Sequence, residues 1–377
     1  MTTIWDIRMA AQLAMAFAHS DGPVKMILET TRLCNSHCVT CNMWQQIPGN
    51  ELDPDDLLRA VKSASRTVRW IALTGGEVTL YRELAYLVRG LAKCCKRLLM
   101  INIPLNGINP DRTSSLLDQL LRENKEILFH ATLSIDGIGK DQDDLRGRGQ
   151  WRQSIATWRE LQSLRKRHRN LRVSTQMTVS RLNVSKSLEV MNMFSRESDT
   201  FIVAMCMENS FYGIENGLAL NSDESAVRKR GAEALVVLGG TAAQGAPRFE
   251  LQETNAEAVR AMVLRYPVSG LGSFLEKLFL LGVIRRLRHS STRVPCVAGN
   301  KVVFISAQGE VRPCPFLDRS MGRLENSNYD LRELLKSPAA VEMRSIARAC
   351  DKCWNNCVGL PSLIASPLRA LRLLTER

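Results

Sequence analysis

Between residues 24 and 207, short β-branched and apolar runs alternate with longer stretches in which apolar residues recur every three or four positions. The runs Val24–Glu29, Val68–Leu73, Leu98–Pro104, Ile127–Ile135, Leu171–Val179 and Phe201–Met207 predict strands, since near-continuous Val, Ile and Leu suits a strand buried on both faces. Pro54–Arg66, Arg82–Cys94, Arg112–Glu123, Trp151–Arg167 and Ser185–Glu197 carry the helical period between them. Strands separated by helices pair in parallel through right-handed crossovers, so the pattern predicts an α/β fold. Six such units are too few to close an eight-unit barrel, and the expected architecture is a partial (β/α)6 TIM-like barrel.

The alternation stops near residue 208, where Gly239-Gly240, Gly245-Ala246-Pro247 and Pro267 interrupt it. Helices are predicted near Ser225–Leu238, Thr254–Tyr266 and Gly270–Arg288. The apolar side of the last, with Phe274, Leu278, Phe279, Leu281 and Ile284, is expected to pack on the core rather than on a membrane. Two short apolar runs around Gln308-Gly309 predict a hairpin over Val302–Arg312. The chain thus divides into an N-terminal helical extension (1–23), the barrel (24–207), a bridging helical region (208–290), a small C-terminal cysteine-bearing domain (291–360) and a basic tail (361–377).

At 377 residues and 45% apolar composition, the chain has material for one large core and a smaller one. No run of about 18 uncharged apolar residues is present, so no transmembrane helix is expected. The apolar stretch Met9–Ala18 follows Asp6 and Arg8 and lacks a small-residue cleavage site, which reads as a cytoplasmic protein. The net charge of +13 points to anionic partners: a phosphorylated small molecule, a nucleotide, an acidic peptide or an anionic membrane surface. Its clusters at 165–169, 285–288 and 369–377 read as solvated helix ends placed against the dipole.

Eleven cysteines in a chain without a secretion signal favour metal ligation over disulfides. Cys94, Cys95 and Cys206 fall inside predicted elements and read as inert buried thiols. The other eight form two groups. Cys34, Cys38 and Cys41 follow the first strand as CxxxCxxC, while Cys296, Cys314, Cys350, Cys353 and Cys357 lie near the end. Parallel α/β folds bind ligands at the C-terminal ends of their strands. The front cysteines sit there, as do Gly75-Gly76-Glu77 after the second strand, Asn106-Gly107 after the third and Ser134 to Gly137 closing the fourth. A 4Fe-4S cluster takes four ligands, so three thiolates in one loop leave an iron open; zinc completed by His37 is the alternative.

CxxxCxxC, the Gly-Gly-Glu turn and the partial barrel together resemble the radical S-adenosylmethionine (AdoMet) enzymes over about residues 20–207. The resemblance implies that Cys34, Cys38 and Cys41 hold a 4Fe-4S cluster whose open iron chelates AdoMet. Reductive cleavage then gives a 5′-deoxyadenosyl radical that abstracts hydrogen from substrate, with a reductant such as flavodoxin or ferredoxin as partner. It further implies that Gly75, Gly76 and Glu77 bind the AdoMet amino group, that Ser134 and Asp136 meet its carboxylate or ribose, that Asn106 is a ribose-side contact and that Arg146, in Asp144-Leu145-Arg146-Gly147, pairs with the carboxylate. The family's aromatic residue before the third cysteine is here Thr40, with Trp44 beyond.

The rear pattern, C-x12-G-x4-C followed by C-x2-C-x3-C, resembles the auxiliary-cluster domains called SPASM or Twitch over about residues 291–360. Five thiolates imply a second, auxiliary 4Fe-4S cluster held by Cys296, Cys314 and two of Cys350, Cys353 and Cys357, with zinc as the alternative. The substrate is then a small molecule or peptide, anionic by the charge argument, undergoing dehydrogenation, epimerisation, crosslinking or rearrangement. The competing class is a non-catalytic protein stapled by metal that binds nucleic acid or an anionic membrane surface.

Overall fold

The computed structural model describes residues 4–46, 49–206, 253–289, 292, 294–350 and 353–375; the helix expected at Ser225–Leu238 and the glycine-rich breaks after it lie outside them. Six strands, β1 (Lys25–Thr31), β2 (Trp70–Gly75), β3 (Met100–Leu105), β4 (Leu128–Ser134), β5 (Leu171–Val179) and β6 (Phe201–Met205), pair in parallel in chain order. Beyond β1 the sheet continues. β7 (Val302–Ile305) adds in parallel, with Lys25 opposite Val302, and β8 (Glu310–Arg312) and β9 (Gly322–Arg323) follow antiparallel. The sheet of nine strands runs β6-β5-β4-β3-β2-β1-β7-β8-β9. The expected hairpin therefore continues the barrel sheet instead of standing apart from it.

Crossover helices cover the outer face: α2 (Pro54–Ser63), α3 (Leu84–Cys94), α4 (Pro110–Glu123), α5 (Lys140–Arg146), α6 (Gln150–Arg167) and α7 (Ser187–Phe194). Their starts are written in sequence. Asp53 and Asn109 cap α2 and α4 through their side chains, and Pro54 and Pro110 occupy the first helical turn, where no amide donor is needed. Ile71, Ile101, Phe129 and Val173 on the sheet pack against Leu87, Leu120, Leu161 and their neighbours, all fully buried. The helix α5 has no counterpart among the predicted elements; its seven residues end at Gly147, whose φ of 118° an L side chain would resist.

Past β6 come α8 (Glu253–Arg265) and α9 (Leu271–His289), then, beyond the hairpin, α10 (Leu331–Leu334), α11 (Pro338–Ala349), α12 (Asn356–Ala365) and α13 (Pro367–Leu371); α1 (Ile4–His19) precedes β1. The core packing expected for α9 is found, with Leu278, Phe279, Leu280 and Ile284 buried. Two expectations change. Arg285 and Arg286 are buried rather than solvated, since the last turn of α9 packs against residues 372–375. Cys94 closes α3, Cys95 caps it and Cys206 follows β6, so these thiols sit at element ends. No single described helix is long and apolar enough to cross a membrane.

Candidate active site

The cysteine loop leaves β1 under control of Glu51, whose carboxylate accepts the Thr31 hydroxyl at 2.9 Å and the Arg32 amide at 2.8 Å. Two glycines then let β2 run beneath it. A Cβ on Gly75 or Gly76 would stand 2.1 Å from the Thr31 or Leu33 carbonyl oxygen, and the amides of Gly76 and Glu77 donate to those same oxygens. The close approach these glycines permit is thus to the chain's own cysteine loop. From the other side, the Leu145 and Arg146 carbonyls at the end of α5 accept the Val39 and His37 amides.

The three thiols differ in their surroundings. Cys38, 8% exposed, has the Ser36 hydroxyl at 3.1 Å and Arg146 Nη1 at 3.7 Å. Burial raises the Cys34 thiol, aided by Cys38 and Glu77 and opposed by hydrogen bonds from the Ser36 backbone and Asn106. Burial pushes the Cys41 thiol up to about 12, with Cys38 and Cys34 adding to the effect. Cys34 and Cys41 thus both lie within the field of Cys38, which adds to the effect of burial on each.

Behind the loop lies a dry polar frame. Arg146 Nε donates to Asp136 Oδ2 at 2.7 Å, with the two side chains 9% and 1% exposed. Burial works against the Arg146 charge, yet Asp136 and the Cys38 thiolate outweigh it and hold the guanidinium above its ordinary range. The other Asp136 oxygen accepts the Thr178 amide. Glu77, equally buried, accepts the Thr79 amide and hydroxyl on one oxygen and the Asn106 amide on the other at 2.7 Å. Asn106 Nδ2 donates to Asn35 Oδ1, and its own Oδ1 accepts the Ile108 amide. Glu77, Asp136 and Arg146 thus each have partners within the protein: neutral donors for Glu77, and one another plus the Thr178 amide for the other two. Ser134 remains partly exposed at the end of β4.

Sequence reasoning missed two glutamines in this frame. Gln142 accepts the Asp136 and Gly137 amides and donates to the Ser134 carbonyl, while Gln150 donates to the Asn106 carbonyl at 2.6 Å. Gln150 shares the buried side of α6 with Ser154, Trp158 and Leu161, so a polar residue in register with an apolar stripe was the available signal.

The rear cysteines are framed by rings instead. Trp354 stacks on Phe279 at 5.8 Å and 12°, and its Nε1 donates to the Phe279 carbonyl at 2.9 Å. Gly282 and Gly359 let this ring pair close, since a Cβ on either would fall within 3 Å of it. Asn355 caps α12 by accepting the Cys357 amide, and Lys25 Nζ donates to the Cys357 carbonyl at 2.9 Å. Desolvation raises the Cys296, Cys314 and Cys353 thiols, Cys314 to about 12. Cys296, Cys314, Cys350 and Cys353 lie in one another's fields, and Cys357 adds to that of Cys353.

The inner face of the sheet lines a cavity of about 890 Å³. Thr74, Pro104 and Gln176 border it toward the rim, and Pro315, Asn356 and Cys357 border it on the rear side. Its lower wall carries a polar row: Lys25 stands 4.0 Å over the Trp70 ring, Trp70 donates to Asn102, and His130 joins Asn102 at 3.0 Å to Ser174 at 2.7 Å. Burial lowers Lys25 to about 8 and His130 to about 4.

The front thiols thus follow β1 at the C-terminal rim of a parallel sheet, and Cys357 borders the cavity under that sheet. Residues 28–191 match the radical SAM superfamily and residues 296–357 the SPASM iron–sulfur cluster-binding domain. The chain belongs to the radical SAM superfamily and carries a SPASM domain behind its barrel. The structure is similar to native anSMEcpe with bound AdoMet and Kp18Cys peptide, at 14% identity over 93% of this chain and 99% of that one, with a TM-score of 0.58. It is similar also to Streptococcus suis SuiB, at 14% identity over 95% and 75% with a TM-score of 0.56, and to SuiB bound to precursor peptide SuiA, at 14% over 95% and 74% with a TM-score of 0.52. At that identity they establish the fold. No curated protein matches this sequence.

The family brings a 4Fe-4S cluster, AdoMet and further iron–sulfur clusters, and the residues present fit them. Zinc needs thiolates about 3.8 Å apart, given its ~2.3 Å bonds. Among the described residues, no three His, Cys, Asp or Glu side chains are placed to hold a single metal ion. The exposed His37 ring instead packs edge-on to Trp44 at 4.7 Å. Trp44 Nε1 is buried without a hydrogen-bond partner among the described residues, a donor open to a ligand at that rim.

Proposed function

We propose that this enzyme holds its AdoMet-binding cluster with Cys34, Cys38 and Cys41 and acts on an anionic substrate seated in the barrel cavity. When bound, the cluster and AdoMet supply a one-electron cleavage yielding methionine and a 5′-deoxyadenosyl radical that takes a hydrogen atom from substrate. The chain's own residues do the placing. Gly75 and Gly76 bring β2 under the loop, the Asp136–Arg146 pair sets positive charge beside Cys38, and Ser134, Asn106 and Trp44 Nε1 border the position left for AdoMet.

The observation that carries this reading is the cavity on the inner face of the sheet, lined by Thr74, Pro104 and Gln176 near the strand ends and by Cys357 from the rear. Its volume suits a small molecule or one residue of a peptide. Lys25, 4% exposed and without a carboxylate partner among the described residues, offers the anion site. For the rear cluster we assign Cys296, Cys314, Cys350 and Cys353, leaving Cys357 at the cavity wall. That placement suits removal of an electron from substrate after hydrogen abstraction, hence a net oxidation.

Anaerobic reconstitution followed by AdoMet and a reductant tests the reading: brown protein releasing 5′-deoxyadenosine supports it. Candidate anionic compounds labelled with deuterium should then pass label into 5′-deoxyadenosine. A fully iron-loaded protein that leaves AdoMet intact would refute it.

A further inference from the structure

The segment from Ser366 to Thr375 has two apolar sides. Ala370 and Leu373 face inward and are buried, as expected of a helix docked on a core. Leu368, Leu371 and Leu374, at i, i+3 and i+6, share the opposite side and are 77%, 46% and 48% exposed. Scattered exposed leucines need no explanation, but a row of three on one short segment does. The charged residues between Ser362 and Thr375 are Arg369 and Arg372, both exposed.

Across from this segment stands α1, which buries Leu13, Ala16 and Phe17 yet leaves Ile7 and Met15 57% and 65% exposed, with Arg8 beside them. Helix α1 packs on α12, and α12 on α13, so both outer sides belong to one end of the molecule. Met9 and Ala10 of α1 and Pro367 and Leu371 of the segment border the same cavity end. The helices at 356–365 and 367–375 meet at 107°, and neither alone is long enough to span a bilayer. Exposed leucine and methionine with arginine as the accompanying charge is the composition of a surface lying in a lipid headgroup layer.

We propose that the outer sides of α1 and residues 366–375 seat this enzyme on an anionic lipid surface. The arginines meet phosphate while Leu368, Leu374 and Met15 enter the acyl boundary.

Co-sedimentation of the cluster-loaded enzyme with vesicles tests this directly. With equal parts phosphatidylglycerol and phosphatidylcholine the enzyme should pellet, and it should pellet far less with phosphatidylcholine alone or at raised salt. Leu368→Ser with Leu374→Ser should weaken partitioning about tenfold for each leucine withdrawn, and Arg369→Gln with Arg372→Gln should remove the preference for anionic vesicles. Unchanged iron content and elution volume would show these surface variants to be folded. Wild-type enzyme remaining in the supernatant overturns the proposal, as does a serine variant that pellets like wild type. So does a concentration-dependent dimer, abolished by the same serines, in place of vesicle binding.

Discussion

The two cysteine regions solve the same problem by opposite means. The front loop is held by ions and hydrogen bonds, with a buried Asp136–Arg146 pair, Glu77, Gln142 and Gln150 behind it and Cys34 and Cys41 partly open in front. The rear group is held by the Trp354–Phe279 stack and glycines that let the rings close, with Lys25 as its nearby cation. The front frame sets a guanidinium beside Cys38, while burial still raises Cys34 and Cys41 as it raises the rear thiols. An apolar frame excludes water and raises the thiols, so bound metal must supply the charge that stabilises them. On the function proposed above, exchangeable chemistry belongs to the front and lasting ligation to the rear.

Exchanging cysteines gives the largest contrast. Cys38→Ala should reduce 5′-deoxyadenosine to the level of an enzyme-free control, while Cys353→Ala should keep AdoMet cleavage, lose turnover of substrate and lose about half the iron of a two-cluster protein. Iron analysis and product chromatography read both. Equal loss of AdoMet cleavage in the two variants would erase the proposed division.

Next come the two frames. Asp136→Asn leaves a buried guanidinium unmatched and should cost about 3–5 kcal/mol in urea unfolding, with iron lost first from the front. Trp354→Ala removes a packed ring and should cost a similar ~3–5 kcal/mol, with iron lost first from the rear. Iron lost from the same site in both variants would show the frames to be one unit.

A smaller effect separates the cavity wall from either frame. His130 is lowered by burial from 6.5 to about 4, so below 6.5 the unfolded chain takes up a proton that the folded one refuses. Stability should therefore fall as pH drops from 6.5 toward 4, by at most about 3 kcal/mol, and His130→Gln should remove that slope. Denaturation midpoints across the interval measure it. Smallest of all, Cys357→Ala should leave the rear cluster assembled, by iron and sulfide analysis, where Cys350→Ala should not; identical losses would place Cys357 among the ligands.

How far the fold was legible follows from which interactions are local. The parallel strands announced themselves because each is buried on both faces, as Leu128–Ser134 is, and Pro54 marked a helix start, whereas the helix expected from Arg112 begins two residues earlier at Pro110. The pairing of β7 with β1 had no local mark, since strands some 270 residues apart meet only through the completed sheet. At the site, the cysteine spacing picked out two groups, but the protein partners of Glu77, Asp136 and Arg146 did not follow from it. A carboxylate at a strand end looks the same in sequence whether it faces a ligand or a buried arginine. Nothing within the run Val24–Glu29 marks Lys25, and only the return of Cys357 beneath it gives the side chain its place.

The account rests on an iron left open by three thiolates in the front loop. Electron paramagnetic resonance of the reduced, fully loaded enzyme, recorded with and without AdoMet, tests that most directly. The signal that disappears in Cys38→Ala should be the one that shifts when AdoMet is added, while the rear signal stays fixed. A front signal identical with and without AdoMet would contradict the account.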